Sequence, residues 1–424
     1  MMHGIIECLR VRSSSLSVVE NDSCISSIPI TPSTPLYLIS FGKAAGAMSS
    51  GAEMILGDRL INGVTIVPKF DEQTKRLRTK VFEGGHSNLP DYRSINATKE
   101  VIKMVDEAEC DAAFLVLISG GGSALLSLPS NDISLDMKLS TIRALVSKGA
   151  SIQELNSVRR VLSNVKGGRL ADKFKGRMAL SLILSDIIGD PIEFIASGPT
   201  VSLTSSLRAA TVIDNLGVRS LLPIEVINVI DREDYSPTEN NVSHAVICNN
   251  RRALEASKNF LEKEGYESTI VSCSQDGDAE VFGRKLGDMN ELKNKVKGSK
   301  KVAFLYGGET TVQLNDNSGK GGRNQHAALA ALLQMNKIKR SDNSNISLLV
   351  GGSDGQDGPT DANGAIISND NIDLSDNEKE LAEISLMNTD SYSFWKNFRD
   401  GRCHFQPGLT GTNVMDIAIQ LYEE

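Results

Sequence analysis

The chain has 424 residues, of which 40% are hydrophobic and 23% charged, a composition typical of globular proteins. Because a single hydrophobic core stops growing near ~250–300 residues, this length predicts two domains of roughly 200 residues each. The net charge of −8 is not gathered into an acidic or basic block, which argues against nucleic-acid and anionic-membrane partners, since those surfaces select for clustered Lys and Arg.

The first half of the chain alternates apolar runs of strand length with longer segments of helical periodicity. Such alternation is typical of a parallel sheet that is covered by helices on both faces. The predicted strands are Leu36–Phe41, Gly63–Val67, Ala113–Ile118 and Leu180–Leu184. The predicted helices are Ala44–Leu56, Asp91–Ala108, Asp136–Val146 and Ile152–Val165.

A polar stretch, Arg232–Ser243, predicts a domain boundary near residue 240, with domains at 1–240 and 241–424. A second alternating series follows the boundary. Its predicted strands are His244–Cys248, Ser268–Val271, Val302–Tyr306, Thr311–Leu314 and Ile346–Val350. Its predicted helices are Arg251–Glu264, Asn324–Met335 and Val414–Tyr422.

Glycine, together with a charged or hydroxyl residue, follows five of the predicted strands. In open α/β sheets ligands bind at the carboxyl ends of the strands, so these segments predict one site assembled from several loops. The five segments are Gly42-Lys43, Ser119–Ser123, Ser185-Asp186, Gly307–Thr310 and Gly352–Asp354.

The turn after the third strand holds Gly120, Gly121 and Gly122, followed by Ser123. Backbone without Cβ atoms can approach a phosphate closely and offer N–H groups to it, aided by a helix N-terminus. The alternative is a tight turn without a ligand. Leu125 stands where a G-x-S-x-G nucleophile elbow needs glycine, so a serine hydrolase is not indicated.

A second glycine-rich segment ends in Arg323 at the predicted start of a helix. A guanidinium there can neutralise a transferring phosphoryl group, whereas the alternative is a surface hairpin with a solvated arginine. Neither glycine-rich segment has the Gly-Lys-Ser/Thr ending of a Walker loop.

Three aspartates are candidates for the carboxylate chemistry of phosphoryl transfer, which needs a group to orient or deprotonate the attacking hydroxyl and oxygen ligands for Mg²⁺. Asp186 is the candidate base, and Asp354 and Asp357 are the candidate metal ligands. For Asp357 and Asp361 the alternative is a role in an Asx-turn or a helix cap.

Ordered motifs along the chain resemble those of glycerate kinases with a MOFRL domain. The resemblance covers residue 36 to the C-terminus and rests on motifs that include Phe41-Gly-Lys-Ala-Ala, Ser119-Gly-Gly-Gly-Ser-Ala-Leu-Leu, Lys166-Gly-Gly-Arg-Leu, Ile195-Ala-Ser-Gly-Pro-Thr, Gly321-Gly-Arg-Asn-Gln and Asp354-Gly-Gln-Asp-Gly-Pro-Thr-Asp. It implies a Rossmann-like N-terminal domain and a smaller α/β C-terminal domain with the MOFRL segment at about 300–416. It also implies an active site in the interdomain cleft.

The resemblance implies transfer of a phosphoryl group from ATP, with Mg²⁺, to D-glycerate, and it favours the 2-hydroxyl over the 3-hydroxyl. Its catalytic positions fall on Lys43, Asp186 and Arg323. Lys43 and Arg323 would hold phosphoryl oxygens and Asp186 would orient or deprotonate the hydroxyl. The expected substrate- or nucleotide-binding residues are Gly120, Gly121, Gly122, Ser123, Arg159, Lys166, Ser185, Glu309, Thr310 and Asn324; of these, Arg159, Lys166 and Ser185 suit the glycerate carboxylate.

The chain departs from these relatives in its first 35 residues, which are poorly patterned where relatives usually carry a helical segment. A non-catalytic sugar-acid sensor or pseudoenzyme on the same fold is therefore an alternative function. A dehydrogenase is a third, but it would need a G-x-G-x-x-G fingerprint, which the chain lacks.

The predicted location is the cytoplasm, since the six cysteines are dispersed and no apolar run approaches the ~18 residues that span a bilayer. Arg10, Arg12 and the serines that follow leave mitochondrial import as a minor alternative. We expect a monomer or homodimer without a membrane partner.

Overall fold

The computed structural model describes residues 2–85, 89–201, 207–233, 240–288, 296, 300–314, 318–337 and 345–424. The chain forms two compact units, residues 1–247 and 248–424. Among the described residues, no helix has the length and apolarity needed to cross a membrane.

The N-terminal segment, which the sequence left without predicted elements, is ordered into a helix and a small sheet. Helix α1 (Met2–Cys8) precedes the antiparallel strands β1 (Leu9–Val11), β2 (Ser15–Glu20) and β3 (Ser23–Pro29). Asn21 and Asp22 join β2 to β3 with φ values of 47° and 63°. Two central residues with positive φ are the signature of a tight hairpin turn, and Asn and Asp tolerate it. A helix therefore does precede the strand that leads to Lys43.

The first large sheet has six strands with the order of a Rossmann fold, as the family resemblance implied. They are β4 (Leu36–Phe41), β5 (Leu60–Val67), β6 (Lys80–Glu83), β7 (Ala113–Ile118), β8 (Ala179–Leu184) and β9 (Val242–Cys248). Their spatial order is β6-β5-β4-β7-β8-β9, which is 3-2-1-4-5-6 in chain order. The pairs β4/β5, β5/β6, β4/β7 and β7/β8 are parallel. The chain reverses its direction of travel across the sheet between β4 and β7.

Strand β9 lies in this first sheet beside β8. The sequence placed the boundary near residue 240 and assigned this strand to the second domain, but its backbone completes the first sheet. The compact units accordingly divide between Ile247 and Cys248. Residues 234–239, within the polar stretch that suggested the boundary, lie outside the described residues.

Helices surround the first sheet, and every residue of β4, β7 and β8 is buried, as expected for strands covered on both faces. Three of these helices are capped at their start by an aspartate or serine side chain, namely Asp91, Ser134 and Ser151, and Asp91 and Ser151 each form a capping box. Four of the helices, which begin at Leu135, Ile152, Ala209 and Ile224, share an apolar cluster. The helices are α2 (Ala45–Leu56), α3 (Tyr92–Glu107), α4 (Gly122–Leu125), α5 (Leu135–Ser147), α6 (Ile152–Val161), α7 (Arg169–Lys173), α8 (Ala209–Asn215) and α9 (Ile224–Asp231).

The C-terminal unit contains a second six-stranded sheet, which is mixed. Its strands are β10 (Glu267–Gln275), β11 (Lys301–Gly308), β12 (Asn345–Gly352), β13 (Gly364–Ser368), β14 (His404–Phe405) and β15 (Asp416–Glu423). The spatial order is β10-β11-β15-β12-β13-β14. Strands β10 and β11 are parallel, whereas β15 runs antiparallel to both β11 and β12.

Two predicted elements of this unit are wrong. The helix predicted at Val414–Tyr422 is the central strand β15, in which burial alternates residue by residue. Period two is the mark of a strand, and the neighbours β11 and β12 supply hydrogen bonds on both edges. The strand predicted at Thr311–Leu314 is absent from these described residues, where only Thr311 forms an isolated bridge, with Asp278.

One buried helix, α12 (Arg323–Asn336), lies in the C-terminal core. All but one of the side chains from Asn324 to Met335 are buried, so α12 packs with apolar residues on every side. The helices of this unit are α10 (Asn250–Lys263), α11 (Ala279–Leu286), α12 (Arg323–Asn336), α13 (Asn369–Ile372), α14 (Asp376–Met387) and α15 (Ser391–Asn397).

Candidate active site

The glycine turn after β7, residues 119–123, brings together two of the three predicted catalytic residues. The backbone N–H of Lys43 donates to the carbonyl of Gly120 (2.8 Å). The Cγ of Lys43 lies 3.4 Å from the position that a Cβ on Gly121 would take. A Cβ on Gly120 would overlap the carboxylate Oδ2 of Asp186, so only glycine lets this carboxylate lie against the turn. The turn lies at the carboxyl ends of β4, β7 and β8, where the sheet order reverses and ligands bind in such folds.

A short helix begins within the turn, at Gly122, where the sequence predicted the start of a helix. Helix α4 has four residues, and the N–H of Gly122 donates to the carbonyl of Ser119 (3.2 Å). A single turn sums few peptide dipoles, so it adds little to anion binding. Any phosphate affinity at the turn must come from close backbone approach and from neighbouring cations.

The predicted acid-binding residues Arg159 and Lys166 line a cavity of about 160 Å³ that also includes Ser123 and Lys138. The buried ammonium of Lys166 donates to the carbonyl of Ser123 (2.9 Å), which ties this residue to the glycine turn. Burial lowers the pKa of Lys166, and the charges of Lys138 and Arg159 lower it further. Burial also lowers the pKa of Arg159.

Lys138 was missed in the sequence. It lies on the buried stripe of α5 with Leu135, Thr141 and Leu145, at the three- and four-residue spacing of an inward helix face. In the sequence, Lys138 could have been recognised as a lysine that occupies a position of the buried face of this helix. Burial, followed by the charge of Arg159, lowers the pKa of Lys138 to about 7.

A segment with a strained backbone, Ala196-Ser197, lies beside the glycine turn. Ala196 and Ser197 have φ values of 52° and 64°, a left-handed conformation that residues with side chains adopt at a cost. Ser197 hydrogen-bonds the hydroxyl of Ser123 (2.8 Å), and its carbonyl accepts from the N–H of Gly167 (3.0 Å). Through these hydrogen bonds, Ser197 links the Ser123 turn to the backbone beside Lys166.

Ser185, predicted to bind substrate, is fully buried. Its hydroxyl donates to the carbonyl of Ile187 (3.2 Å) and accepts from the N–H of the same residue (3.4 Å). The structure thus places Ser185 inside the turn that carries Asp186, where it shapes the loop.

In the C-terminal unit, the third predicted catalytic residue, Arg323, is held by two carboxylates. Its Nε and Nη2 donate to Asp416 (2.5 and 3.1 Å), and its Nη1 lies 2.7 Å from Oε1 of Glu309. The side chain remains 34% exposed, so it is neither a solvated surface arginine nor sequestered. Burial alone would lower the pKa of Arg323, but the hydrogen bonds and charge of Asp416 outweigh it and raise the pKa.

Asp416 was missed because its strand was predicted as a helix. It opens β15 opposite Gly308, the last residue of β11, and Gly352, the last residue of β12. One antiparallel strand thereby unites two of the five glycine segments. Burial raises the pKa of Asp416, and the hydrogen bond from Arg323 opposes that rise.

Asp357, a predicted metal ligand, holds the start of α12 instead. Its Oδ1 accepts from the backbone N–H (3.0 Å) and side-chain amide (3.3 Å) of Asn324, and its Oδ2 from the same two groups of Gln325 (2.9 and 3.0 Å). A carboxylate offers about four acceptor positions, and these four donors fill them. A Cβ on Gly322 would overlap this carboxylate, so the glycine here serves packing. Asp357 was predicted to bind a metal ion, but in the structure its carboxylate binds the first residues of α12.

Asn324 and Thr310, expected at the nucleotide or substrate, are both buried. The amide of Asn324 bridges Asp357 to Asp416, donating to the latter at 2.9 Å. Glu309 is 43% exposed beside Arg323, and partial burial raises its pKa against the opposing charge of Arg323.

Mg²⁺ needs only one or two carboxylate ligands from the protein when phosphate oxygens of the substrate also bind it. Among residues 300–314, 318–337 and 345–424, the partly exposed Asp354 fits that need, and its charge raises the pKa of both Glu309 and Asp416. No group of three or more His, Cys, Asp or Glu side chains within the described part of the chain could by itself hold a metal ion.

Family models and known proteins match nearly the whole chain. The family described as "Domain of unknown function (DUF4147)" matches residues 5–231, and the MOFRL family matches residues 302–416. A glycerate kinase of Rattus norvegicus is 36% identical over 91% of this chain and 84% of its own length. A D-glycerate 2-kinase of Thermotoga maritima is 34% identical over 91% of this chain and 90% of its own.

A crystal structure of a glycerate kinase from Thermotoga maritima superposes with a TM-score of 0.78 at 32% identity, covering 92% of each chain. These matches extend over nearly the whole chain, and so over both units. The resemblance stated from the motifs is confirmed: the chain belongs to the glycerate kinase family that combines a DUF4147 region with a MOFRL region.

Proposed function

We propose that this protein transfers the γ-phosphoryl group of ATP to the 2-hydroxyl of D-glycerate. Family membership supports phosphorylation of glycerate, and the Thermotoga maritima relative named as a D-glycerate 2-kinase supports the 2-hydroxyl. The observation that carries the proposal is the glycine turn, which lies where the order of the strands in the sheet reverses. Lys43 lies beside Gly121 in this turn, and the carboxylate of Asp186 lies against Gly120.

Asp186 is proposed to orient the attacking hydroxyl and accept its proton. The glycerate oxygen forms a bond to the γ-phosphorus while the bond between that phosphorus and the bridging oxygen of ADP breaks. The proton passes to the Asp186 carboxylate and then to solvent. A positioned general base contributes about 10²–10⁴-fold to such a step.

Lys43 and Arg323 are proposed to hold the oxygens of the transferring group. Phosphoryl transfer depends on positioning and on charge stabilisation, and cations at the equatorial oxygens supply both. The two carboxylates beside Arg323, Asp416 and Glu309, fix the plane of its guanidinium. A guanidinium that is already oriented loses less side-chain entropy when it meets phosphate.

Asp354 is proposed to hold Mg²⁺ that arrives with the nucleotide. When bound, Mg²⁺ neutralises negative charge on the phosphate oxygens. The glycine turn, with Thr310 and Glu309, is proposed to contact nucleotide phosphates, while Arg159 and Lys166 are proposed to bind the acid.

A coupled assay with Mg-ATP and D-glycerate, followed by ³¹P NMR of the product, tests the proposal. We expect ADP release and 2-phosphoglycerate. Lys43→Met should lose turnover, whereas Lys69→Met, at an exposed lysine of the same unit, should not. Formation of 3-phosphoglycerate would overturn the regiochemistry, and glycerate binding without ADP release would favour the non-catalytic sugar-acid sensor.

A further inference from the structure

The cavity beside the glycine turn in the N-terminal unit is lined by a buried lysine, Lys138, that has no role in the reaction proposed above. The cavity is lined by Lys138 of α5, Arg159 of α6, Lys166, and the hydroxyl residues Ser123 and Ser127. Lys138 and Lys166 are each only 3% exposed, and Ser127 is fully buried. These side chains come from separate segments, so the pocket is built by the packing of α5 and α6 and not by one loop.

Two polar atoms on the wall of this cavity lack protein partners within the described chain. The Nζ of Lys138 and the Oγ of Ser127 are buried and make no hydrogen bond. An unpaired buried hydroxyl costs a few kcal/mol and an unpaired buried ammonium considerably more. Such atoms in a folded protein require an explanation, and a ligand that accepts hydrogen bonds from both supplies one.

The charge of the cavity selects an anion. Lys138, Arg159 and Lys166 face it, and none of the described residues that line it is acidic. The three cations repel one another, since the charge of Arg159 lowers the pKa of Lys138 and both charges lower that of Lys166. A carboxylate placed among them would accept charge-assisted hydrogen bonds and relieve this repulsion.

The size of the cavity selects a small anion. Its volume is about 160 Å³, and a cavity of roughly 150 Å³ holds one benzene molecule, with six heavy atoms. Drug-sized ligands occupy pockets of about 300–1,000 Å³, so a nucleotide does not fit. Glycerate has seven heavy atoms, close to the benzene case.

The cavity also has the right location. Ser123, on its wall, is two residues from Gly121, so their Cα atoms are at most about 7.6 Å apart. The backbone N–H of Lys43 donates to the carbonyl of Gly120, and the carboxylate of Asp186 lies against Gly120. The wall of the cavity therefore includes a residue of the same turn that lies beside Lys43 and Asp186.

We infer that Lys138, with Ser127, binds the carboxylate of D-glycerate and so makes the enzyme specific for a three-carbon acid over the corresponding neutral alcohol. This inference rests on the proposed function, because it names the part of the substrate that this cavity recognises. Arg159 and Lys166 complete the same cavity.

Calorimetric titration with D-glycerate, without nucleotide, tests the inference on wild type, Lys138→Met and Ser127→Ala. We expect wild type to bind D-glycerate and not glycerol. Loss of one charge-assisted hydrogen bond should weaken glycerate binding about ten- to a hundredfold in Lys138→Met, and loss of the hydroxyl should weaken it less in Ser127→Ala. Lys148→Met is the matched control, since it alters an exposed lysine at the end of the same helix.

Steady-state kinetics separate this inference from the proposed function. We expect Lys138→Met to raise KM for D-glycerate by a similar factor with KM for ATP unchanged, while its melting temperature is no lower than that of wild type. Unchanged glycerate affinity in a folded Lys138→Met variant, or no glycerate binding to wild type, would overturn the inference. Binding that depends on Lys138 without ADP release would instead overturn the kinase and leave the pocket assignment standing.

Discussion

Two glycine-rich segments of this protein place a glycine against an aspartate carboxylate, and they differ in what surrounds that contact. At Gly322, the carboxylate of Asp357 is filled by four donors from the start of α12. At Gly120, the carboxylate of Asp186 lies beside a turn whose neighbouring cavity is lined by Lys138, which has no hydrogen-bond partner among the described residues. The same pattern in the sequence therefore serves packing in one unit and, we propose, chemistry in the other.

The comparison also separates the cations of the two units. Arg323 is compensated by Asp416 and Glu309 within its own unit. Lys138, Arg159 and Lys166 have no acidic residue among the described residues that line their cavity. A compensated cation can be oriented before a ligand arrives, whereas an uncompensated cluster gains most when an anion binds.

The largest expected effect is that of Asp186→Asn, which keeps the shape of the side chain and removes its basicity. We expect kcat to fall about 10²–10⁴-fold with ATP affinity nearly unchanged, because the lost group acts on the hydroxyl proton. Steady-state kinetics and nucleotide titration measure both. Asp190→Asn is the control on the same loop, where the φ of 55° suits asparagine. Full activity of Asp186→Asn would remove this residue from the mechanism.

Asp357→Ala tests the packing half of the comparison. It removes the acceptor of two backbone N–H groups at the start of α12, while the side-chain amides of Asn324 and Gln325 keep Asp416 and Thr360 as acceptors. Each unsatisfied buried group costs about 1–3 kcal/mol. We expect the free energy of unfolding to fall by several kcal/mol, as measured by denaturant titration. Asp361→Ala, at an exposed carboxylate of the same loop, should change it little. A stable Asp357→Ala variant that loses only Mg²⁺ dependence would restore the metal role.

Lys138→Met should make the protein more stable near neutral pH. The pKa of Lys138 falls from 10.5 to about 7 in the folded state, so between these values the unfolded state binds more protons and stability rises with pH. At pH 7, burial of the Lys138 ammonium lowers the free energy of unfolding of the wild type by nearly its full amount. The methionine variant has no ammonium and does not pay this penalty. Melting curves from pH 7 to 10 should show the gap between variant and wild type closing as pH rises. A constant gap would contradict the burial of a titrating ammonium.

Arg323→Lys should have the smallest effect of the four. Lysine keeps the charge but loses the planar fork that reaches Asp416 and Glu309 together, so the cation is less well oriented. We expect kcat/KM for ATP to fall about tenfold, which corresponds to roughly 1.4 kcal/mol. Undiminished transfer would show that Arg323 acts only through its charge.

The order of the elements and the family were readable from the sequence because local signals were strong there. Buried strands such as Ala113–Ile118 are continuous apolar runs, and Asp91 and Ser151 cap their helices through contacts within three residues. The motif order identified the relatives, and the Gly120 turn was correctly expected at the end of a strand.

The remaining features depend on contacts between distant parts of the chain. The pattern of Asp416–Glu423 is compatible with helix or strand until β11 and β12 flank it. The pair of Arg323 and Asp416 joins residues 93 apart, and the cavity beside Lys138 is lined by residues of α6 and of the glycine turn as well as of α5. The helix at Met2–Cys8 is short, and the strands after it are rich in serine, so neither carried a pattern.

Hydrogen–deuterium exchange of the wild-type protein with D-glycerate alone tests the central claim most directly. The account predicts slower exchange in peptides that contain the glycine turn, residues 119–127, and the Lys138 segment of α5, with no change around residues 321–325 and 354–361. Protection confined to residues 321–325 and 354–361 would contradict it, because the C-terminal glycines, and not the N-terminal turn, would then bind the acid.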